Sequence, residues 1–411
     1  MGEPAIAHDI SAPAEDHAAP TTHDLVPDVR TSATADRVEI VPLESAEMRA
    51  VAEGRGPVYA SWLRYWQTLD PTERDPLTYP GWVAGHLAGK LAADDAGTTE
   101  ILITFAGSEA LTLLPITSPR PGALAHARGF GSRAWALAAS DHEPAMNALF
   151  AARHAGRRVR SLHLDRVDET NVMLAREHGC LRTPIWFRSL IELDAGYEGL
   201  LAKMSSSGRN GVRRLLKRIS REHAVEVEAV TAEQDIACSF ARFLEVDDRS
   251  WKREDGTALR NAPTERESLR HAIHHMALEG RAVFHFLRAD GVDIAAQLCA
   301  VVDRQLLVVK TSYDADWARF GAGKLLLAET MRTWCPGRAI DAINLVTGLS
   351  WHLQWGPRQL QTHELWLFAR GVRGHMAHAH DVPLRTNAKV LVHDLGLEPT
   401  ARRILSRLRR D

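Results

Sequence analysis

The alternation of apolar and polar positions along this chain of 411 residues becomes regular at Val38. "VEIVP" predicts a short strand, residues 44–69 a helix broken between Gly54 and Pro57, and "PGWVAGHLAGKLA" a second helix with Pro80 near its start. "EILITFAGSEALTLLPI" is two apolar runs around Gly107 and Ser108, the signature of a hairpin, and "RAWALAAS" reads as the next strand. A helix over 142–155, a strand "VRSLHL", a helix ending before Gly179 and an extended run "TPIWFRSLIEL" follow.

The second half repeats this order. "VEVEAV" is a strand, Thr231 with Gln234 forms a capping box for a helix through Trp251, and Thr264 with Glu267 forms another for "ERESLRHAIHHMALE", closed by Gly280. Three strands come next, "RAVFHFLRAD", "DIAAQLCAVVD" and "QLLVVKTSY", the first two joined by a tight turn at Asp290-Gly291. A helix from Ala322 to Trp334 stops at Pro336-Gly337; "AINLVTG" is a strand, "LSWHLQWG" a short helix and "THELWLFA" a last strand. Two copies of one layout predict an α/β protein of tandem lobes, each a mixed central sheet flanked by helices. The division expected is a disordered tail over 1–37, a first lobe over 38–193, a basic linker region over 194–223, a second lobe over 224–375 and a basic helical tail over 376–411.

Composition adds restrictions. With 50 basic and 52 acidic side chains the formal charge is −2, which gives no overall attraction to DNA or an anionic surface. Cys180, Cys238, Cys299 and Cys335 are scattered without a CxxC pair, against a disulfide framework or a structural zinc site, and fit a reduced cytoplasm. No window approaches the roughly 18 apolar residues of a membrane span, and the N-terminus lacks the order of a secretory signal. The tail is rich in Ala, Pro, Asp and Thr and cannot bury a core.

The chemistry is concentrated at Arg319-Phe320-Gly321-Ala322-Gly323-Lys324-Leu325, where the third hairpin strand of the second copy turns into its helix. Glycines there tolerate positive φ and bring bare backbone to a ligand, while the first N–H groups of a helix are unpaired at the positive end of its dipole. Such a turn can bind a pyrophosphate, or simply change direction.

Together with "LAKMSSSGRNGVRRLLKRI", "SWKREDGTAL", "DIAAQLCAVVD" and "INLVTGLSWHLQWGP", the segment "SYDADWARFGAGKLLL" resembles the GNAT acyltransferase superfamily. The resemblance covers most of residues 75–370 and extends to the double-domain CelD-like or BioF2-like (cellulose-biosynthesis-type) acetyltransferases, related in fold to the FemABX transferases. It implies acetyl-CoA or another acyl-CoA as co-substrate, no metal, and direct attack of an amine (or hydroxyl) acceptor on the thioester. The acceptor expected is a small molecule or a polysaccharide precursor. Two features depart from the family: Ala318 stands where Gln or Arg is usual, with Arg319 after it, and Trp351-His352 replaces a Tyr-Lys pair. The first copy has "ASDHEPAM" in place of the glycines, so the donor is expected in the second lobe alone.

That chemistry requires a proton acceptor for the ammonium, and a donor to the leaving thiolate helps. Tyr313 and His352 are the leading candidates, with Asp314 and His285 behind them. Trp251, Lys252 and Arg253 are placed where an acceptor would enter, a flat apolar wall beside two cations. His375, His378 and His380 with Asp381 read as a solvated loop rather than a metal site. The helically spaced Arg209, Arg213, Arg214, Lys217, Arg218 and Arg221, and the basic tail, leave contact with CoA phosphate, an anionic acceptor, tRNA or a membrane surface open. The rival readings are a FemABX-type aminoacyl-tRNA-dependent transferase and a non-catalytic tandem-lobe binding protein.

Overall fold

The structure, a computed structural model, describes residues 7–9, 37–69, 74–93, 99–117, 126–129, 153–154, 157–158, 161–168, 181–231, 233–335 and 339–368. In the first half these form β1 (Arg37–Pro42), α1 (Ala46–Ala52), α2 (Pro57–Thr68), α3 (Pro80–Ala92), β2 (Thr99–Ala106), β3 (Glu109–Thr117), β4 (His126–Gly129), β5 (Ser161–Asp168) and β6 (Leu181–Glu192). Two further helices, α4 (Gly196–Lys203) and α5 (Ser206–Glu222), lead into the second half. There follow β7 (Val225–Val230), α6 (Ile236–Asp248), α7 (Pro263–Leu278), β8 (Ala282–Ala289), β9 (Val292–Val302), β10 (Gln305–Tyr313), α8 (Ala322–Trp334), β11 (Ala342–Asn344) and β12 (Arg358–Phe368). Within the expected tail, Ala7–Asp9 pairs in parallel with β7. The runs "RAWALAAS" and "ASDHEPAM", the helix before Gly179, Pro336-Gly337, and everything from 369 onward lie outside the described residues. So does most of the predicted helix 142–155, whose described part, Arg153–His154, pairs as a strand with Arg157–Arg158.

The two expected sheets are continuous. Their strands form one 13-stranded sheet, in which β1 to β5 run inward from one edge and Ala7–Asp9 followed by β7 to β11 from the other. The two remaining strands are exchanged at the centre. β6, from the first half, pairs with β11 of the second, and β12, from the second half, pairs with β5 of the first. β6 and β12 also pair with each other, from Arg358 opposite Leu190 to Trp366 opposite Leu181.

The helices close this arrangement from outside the sheet. Gly81, Gly85 and Gly89 recur every fourth position on one side of α3, and that side lies against α7. A Cβ on Gly85 would stand 2.4 Å from the Ala272 Cα, and one on Gly89 2.3 Å from the Ser268 Cα, so the two backbones touch. Around this crossing Trp66, Tyr79 and Trp82 from the first half share one core with Phe240, Phe243, Phe284 and Phe286 from the second. A second core lies beneath α4, α5 and α8, where Leu200, Val212, Ile219, Phe320, Leu326 and Trp355 meet.

Neither predicted capping box forms. A 3-10 turn at Glu233–Asp235 precedes α6, whose N-terminus has no side-chain cap. α7 begins at Pro263, because proline's fixed φ starts the helix two residues early; Thr264 then falls inside it and Glu267 pairs with Arg270 at 2.8 Å. Gly280 does end α7 at φ +66°, and Asp290-Gly291 makes its turn with both residues at positive φ.

Two tests follow from this architecture. Gly85→Val forces the helix backbones apart and is expected to destabilise the protein by about 3 kcal/mol or more, read as a lower urea midpoint, with Gly107→Ala, whose Cβ meets open space, as the milder comparison. Cleavage at a protease site built into the exposed turn over 194–195 should leave two fragments that co-elute, since each keeps a strand inside the other's half of the sheet. Fragments that separate without denaturant would refute the exchange.

Candidate active site

β10 and β11 run parallel and pair over three residues, Gln305 with Ala342, Leu306 with Ile343 and Leu307 with Asn344. β10 then continues to Tyr313 with no strand on that side among the described residues, while the chain after β11 stays with β6 through Leu345 N–H to Ser189 O and Ser189 N–H to Thr347 O. An extra residue in β10, Val309, bulges it where Leu298 gives way to Cys299 in β9, which turns the strand at the point of divergence. A wedge therefore opens between β10 and the β11 extension.

The free end of β10 is fixed by side chains instead of a strand. Asp247, at the end of α6 and 2% exposed, accepts the Ser312 hydroxyl at 2.6 Å and the Leu259 N–H at 2.8 Å. Lys252 donates to the Thr311 carbonyl at 2.7 Å, the Ser312 hydroxyl at 2.8 Å and Asp247 at 3.3 Å. Burial pushes the Lys252 ammonium below the ordinary lysine range, with Asp247 opposing that drift. All three of its N–H donors are thus engaged in the scaffold. Its neighbours differ: Trp251 is 46% exposed, and Arg253 is exposed too. Asp314 is also framework. It caps the 3-10 turn Ala315–Phe320 by accepting the Asp316 N–H, and it pairs with Arg249 at 2.7 Å.

At the glycine turn Gly321 has φ +62°, the left-handed conformation that side chains resist, and it is the residue before α8. The Lys324 and Leu325 N–H groups bond back to the Gly321 carbonyl, which leaves those of Ala322 and Gly323 without a carbonyl partner among the described residues. The turn is also covered. A Cβ on Gly321 would meet Leu215 of α5 at 2.9 Å, and one on Gly323 would meet the Tyr313 ring at 3.0 Å. Both glycines therefore do mechanical work, one in turning the chain and admitting α5, the other in admitting Tyr313. Phe320, Ala322 and Leu325 are at most 1% exposed and can offer a ligand only backbone. Arg319 pairs with Glu222 at 3.2 Å and stacks on Phe320, while desolvation lowers the Lys324 ammonium, which lies beside Gly211 of α5.

Of the two leading candidates, Tyr313 ends β10 at the mouth of the wedge, half-buried, with its ring on Gly323. His352 lies across the wedge, in the 3-10 turn Ser350–Trp355 that follows the β11 extension. It is 3% exposed, under the edge-on ring of Trp351 at 4.2 Å. Its Nδ1 is 3.0 Å from the Thr347 carbonyl and 3.2 Å from the Leu349 nitrogen. The contact with Thr347 requires the proton on Nδ1 and leaves Nε2 its lone pair, whereas accepting the Leu349 N–H requires the reverse tautomer. Burial pushes the imidazole down to about 4, so it is neutral at physiological pH. His285 belongs to the core instead. It accepts from the Trp334 indole at 2.9 Å, faces Cys299 Sγ at 3.7 Å, and is likewise pushed down to about 4 by burial.

Tyr313 and the glycine turn thus meet on the β10 side of the wedge, His352 lies in the turn that follows the β11 extension, and Lys252, Asp314 and His285 are held in the framework. The Asp247–Ser312 clasp was missed in the sequence, since a lone Asp at a helix end and a Ser in a strand carry no joint signal. The Gly81, Gly85, Gly89 stripe was legible in principle from its spacing of four.

Residues 206–351 match the family model described as an acetyltransferase (GNAT) domain. No curated protein matches the chain. Among solved structures the fold is similar to that of FemX, at 10% identity and a TM-score of 0.52, covering 75% of this chain and 96% of that one. Two others are a tandem GNAT protein from the clavulanic acid biosynthesis pathway (13% identity, 82% and 99% covered, TM-score 0.43) and the C-terminal domain of a lysylphosphatidylglycerol synthetase from Agrobacterium fabrum (13%, 70% and 87%, 0.47). The wedge, the glycine turn and its helix all fall within the matched segment. The second half therefore carries a GNAT acetyltransferase domain in a mixed α/β GNAT fold, and the protein is an enzyme of the N-acyltransferase class.

Proposed function

We propose that the wedge of the second lobe holds the thioester arm of an acyl-CoA, acetyl-CoA in the first instance, and that an amine acceptor attacks its carbonyl directly. The observation that carries this is the parting of β10 from β11 after three residue pairs, which leaves the β10 edge free beside the unpaired N–H groups of Ala322 and Gly323. An extended pantetheine chain can take the place of the missing strand, and the α8 N-terminus can take the pyrophosphate. Because Tyr313 rests on Gly323, entry of the donor requires its ring to swing away from the turn.

In the reaction the acceptor nitrogen forms a bond to the carbonyl carbon as the carbon–sulfur bond breaks. The nitrogen gives up a proton and the departing thiolate takes one. His352 Nε2 is the base assigned here, neutral across the physiological range and held in its turn by Thr347. The Tyr313 hydroxyl is the donor to sulfur, since the ring ends the strand along which the arm would lie. Exposed Trp251 on the β10 side and Leu349 and Trp351 on the β11 side frame an acceptor entrance with apolar walls. The finer assignment to the CelD-like, BioF2-like double-domain acetyltransferases is supported by two like-ordered halves in one chain.

Calorimetric titration with acetyl-CoA and CoA tests the donor reading. Micromolar binding is expected in the wild type and a loss of about tenfold or more in Gly323→Ala, whose methyl would crowd the Tyr313 ring and stand between a pyrophosphate and the backbone N–H groups of the turn; no binding of either thioester or thiol would overturn the reading. Once an acceptor amine is found by thiol release, the pH profile tests His352. With its imidazole at about 4, the limb belonging to it lies near pH 4, and His352→Gln should lower kcat/KM by about 10²-fold at pH 7. An unchanged kcat/KM in that variant would contradict the assignment.

A further inference from the structure

The 17 residues of α5 include six basic side chains, Arg209, Arg213, Arg214, Lys217, Arg218 and Arg221, and one acidic, Glu222. Two of the six are engaged in the fold. Arg209 donates to the carbonyls of Ala202 and Met204 at the end of α4, and Arg218 donates to the Arg319 carbonyl and stacks on Phe320. Arg213, Arg214, Lys217 and Arg221 have no carboxylate partner among the described residues. The surrounding half treats its arginines differently. Arg242, Arg249, Arg288 and Arg304 each bind an Asp or Glu. Like charges three and four positions apart destabilise a helix, and a bound anion would remove that repulsion.

The unpaired charges also line a groove. Ser207, Asn210, Arg213, Arg214 and Lys217 border a space of ≈ 440 Å³. Its position follows from helical spacing. Gly211 faces Lys324 and Leu215 faces Gly321, while Arg218 reaches Phe320, so that row of α5 lies on the glycine turn. Ser207, Asn210, Arg214 and Lys217 form the adjoining row. A ligand with one anionic group at the α8 N-terminus meets this row next. The donors are a hydroxyl, an amide, two guanidinium forks and an ammonium, a set suited to a phosphate monoester. Among the described residues no apolar side chain borders the groove. The apolar side of α5, with Val212 and Ile219, is already buried against the lobe, so the helix has no face left to insert into a lipid surface.

Building on the acyl-CoA reading above, we propose that this face of α5 binds the 3′-phosphate and ribose of the donor's nucleotide end. The linker helix, outside the strands and glycine turn that take the rest of the donor, then supplies the contact that distinguishes CoA from donors lacking that phosphate. A groove confined to one helix face suits a single nucleotide better than the long phosphate track of an RNA.

The test is a calorimetric comparison of CoA with 3′-dephospho-CoA on the full chain, in the wild type and in Arg214→Ala/Lys217→Ala. Arg214 and Lys217 face the phosphate, and Ser207 and Asn210 the ribose, so the wild type is expected to prefer CoA by about tenfold or more, and the double variant to bind both ligands alike, with its affinity for 3′-dephospho-CoA kept and its melting temperature not lowered. The wild-type preference should shrink as salt is raised. Arg214→Gln/Lys217→Gln repeats the comparison with longer polar side chains, should the alanine pair disturb the helix. Equal wild-type affinity for the two ligands overturns the proposal and leaves the acyl-CoA reading standing, and a preference that survives in the variants moves the phosphate elsewhere. Binding of neither ligand overturns both. Binding of tRNA that the variants abolish, without any CoA preference, would replace the nucleotide by RNA.

Discussion

The exchange of β6 and β12 at the centre of the sheet is the constraint on which the remaining structure depends. Each strand is hydrogen-bonded on both sides, and both of its neighbours belong to the other half of the chain. Neither half can leave without exposing the main-chain groups of a central strand, which is costly once water is excluded. The backbone contact of α3 with α7 locks the same two halves a second time from outside the sheet. The buried ion pair of Arg188 on β6 with Asp75 before α3, at 2.8 Å, ties the exchanged strand to the first half's own helices. The halves consequently behave as one body.

That exchange also shapes the wedge. Beyond Asn344 the chain of β11 remains attached to Ser189 of β6 and so is drawn toward the centre of the sheet, while β10 stays with β9. The wedge is thus the place where two strands follow different partners, and it needs no special sequence of its own beyond the bulge at Val309. What does need particular residues is the support of the free β10 end. Asp247, Ser312 and Lys252 form a clasp in which a buried carboxylate is answered by two hydrogen bonds and a cation, the condition under which a charge can be kept out of water. Lys252, read in the sequence as an acceptor contact, is held in this clasp, and exposed Trp251 is the neighbour left free for a ligand.

α5 connects the fold to the chemistry in a different way. Its buried side seals the glycine turn through Leu215, and its adjoining side carries charge that the fold does not use. A helix that only linked two halves would gain by pairing those charges or omitting them. Their accumulation beside an unpaired helix N-terminus is an electrostatic feature with a direction, facing whatever anion approaches the turn.

Much of this was fixed by local sequence. Apolar runs such as "VFHFL" and "QLLVVKTSY", the Asp290-Gly291 turn, the stop at Gly280 and the pairing of Gly321 with the start of α8 are each decided within a few residues, because backbone conformation and β-propensity are local preferences. The repeated element order was legible for the same reason, and with it the GNAT fold. Tertiary structure alone decided which strands meet at the centre, since β6 and β12 present similar apolar runs and nothing local says whose edge they join. It also decided the standing of the candidate residues. His285, His352 and Asp314 are alike in the sequence as titratable groups near strand ends, and only packing sends the first into the core beside Trp334, the second into a turn across the wedge and the third into a helix cap. A side chain's chemistry is written in its type, whereas its access to a substrate depends on contacts with residues distant in the chain.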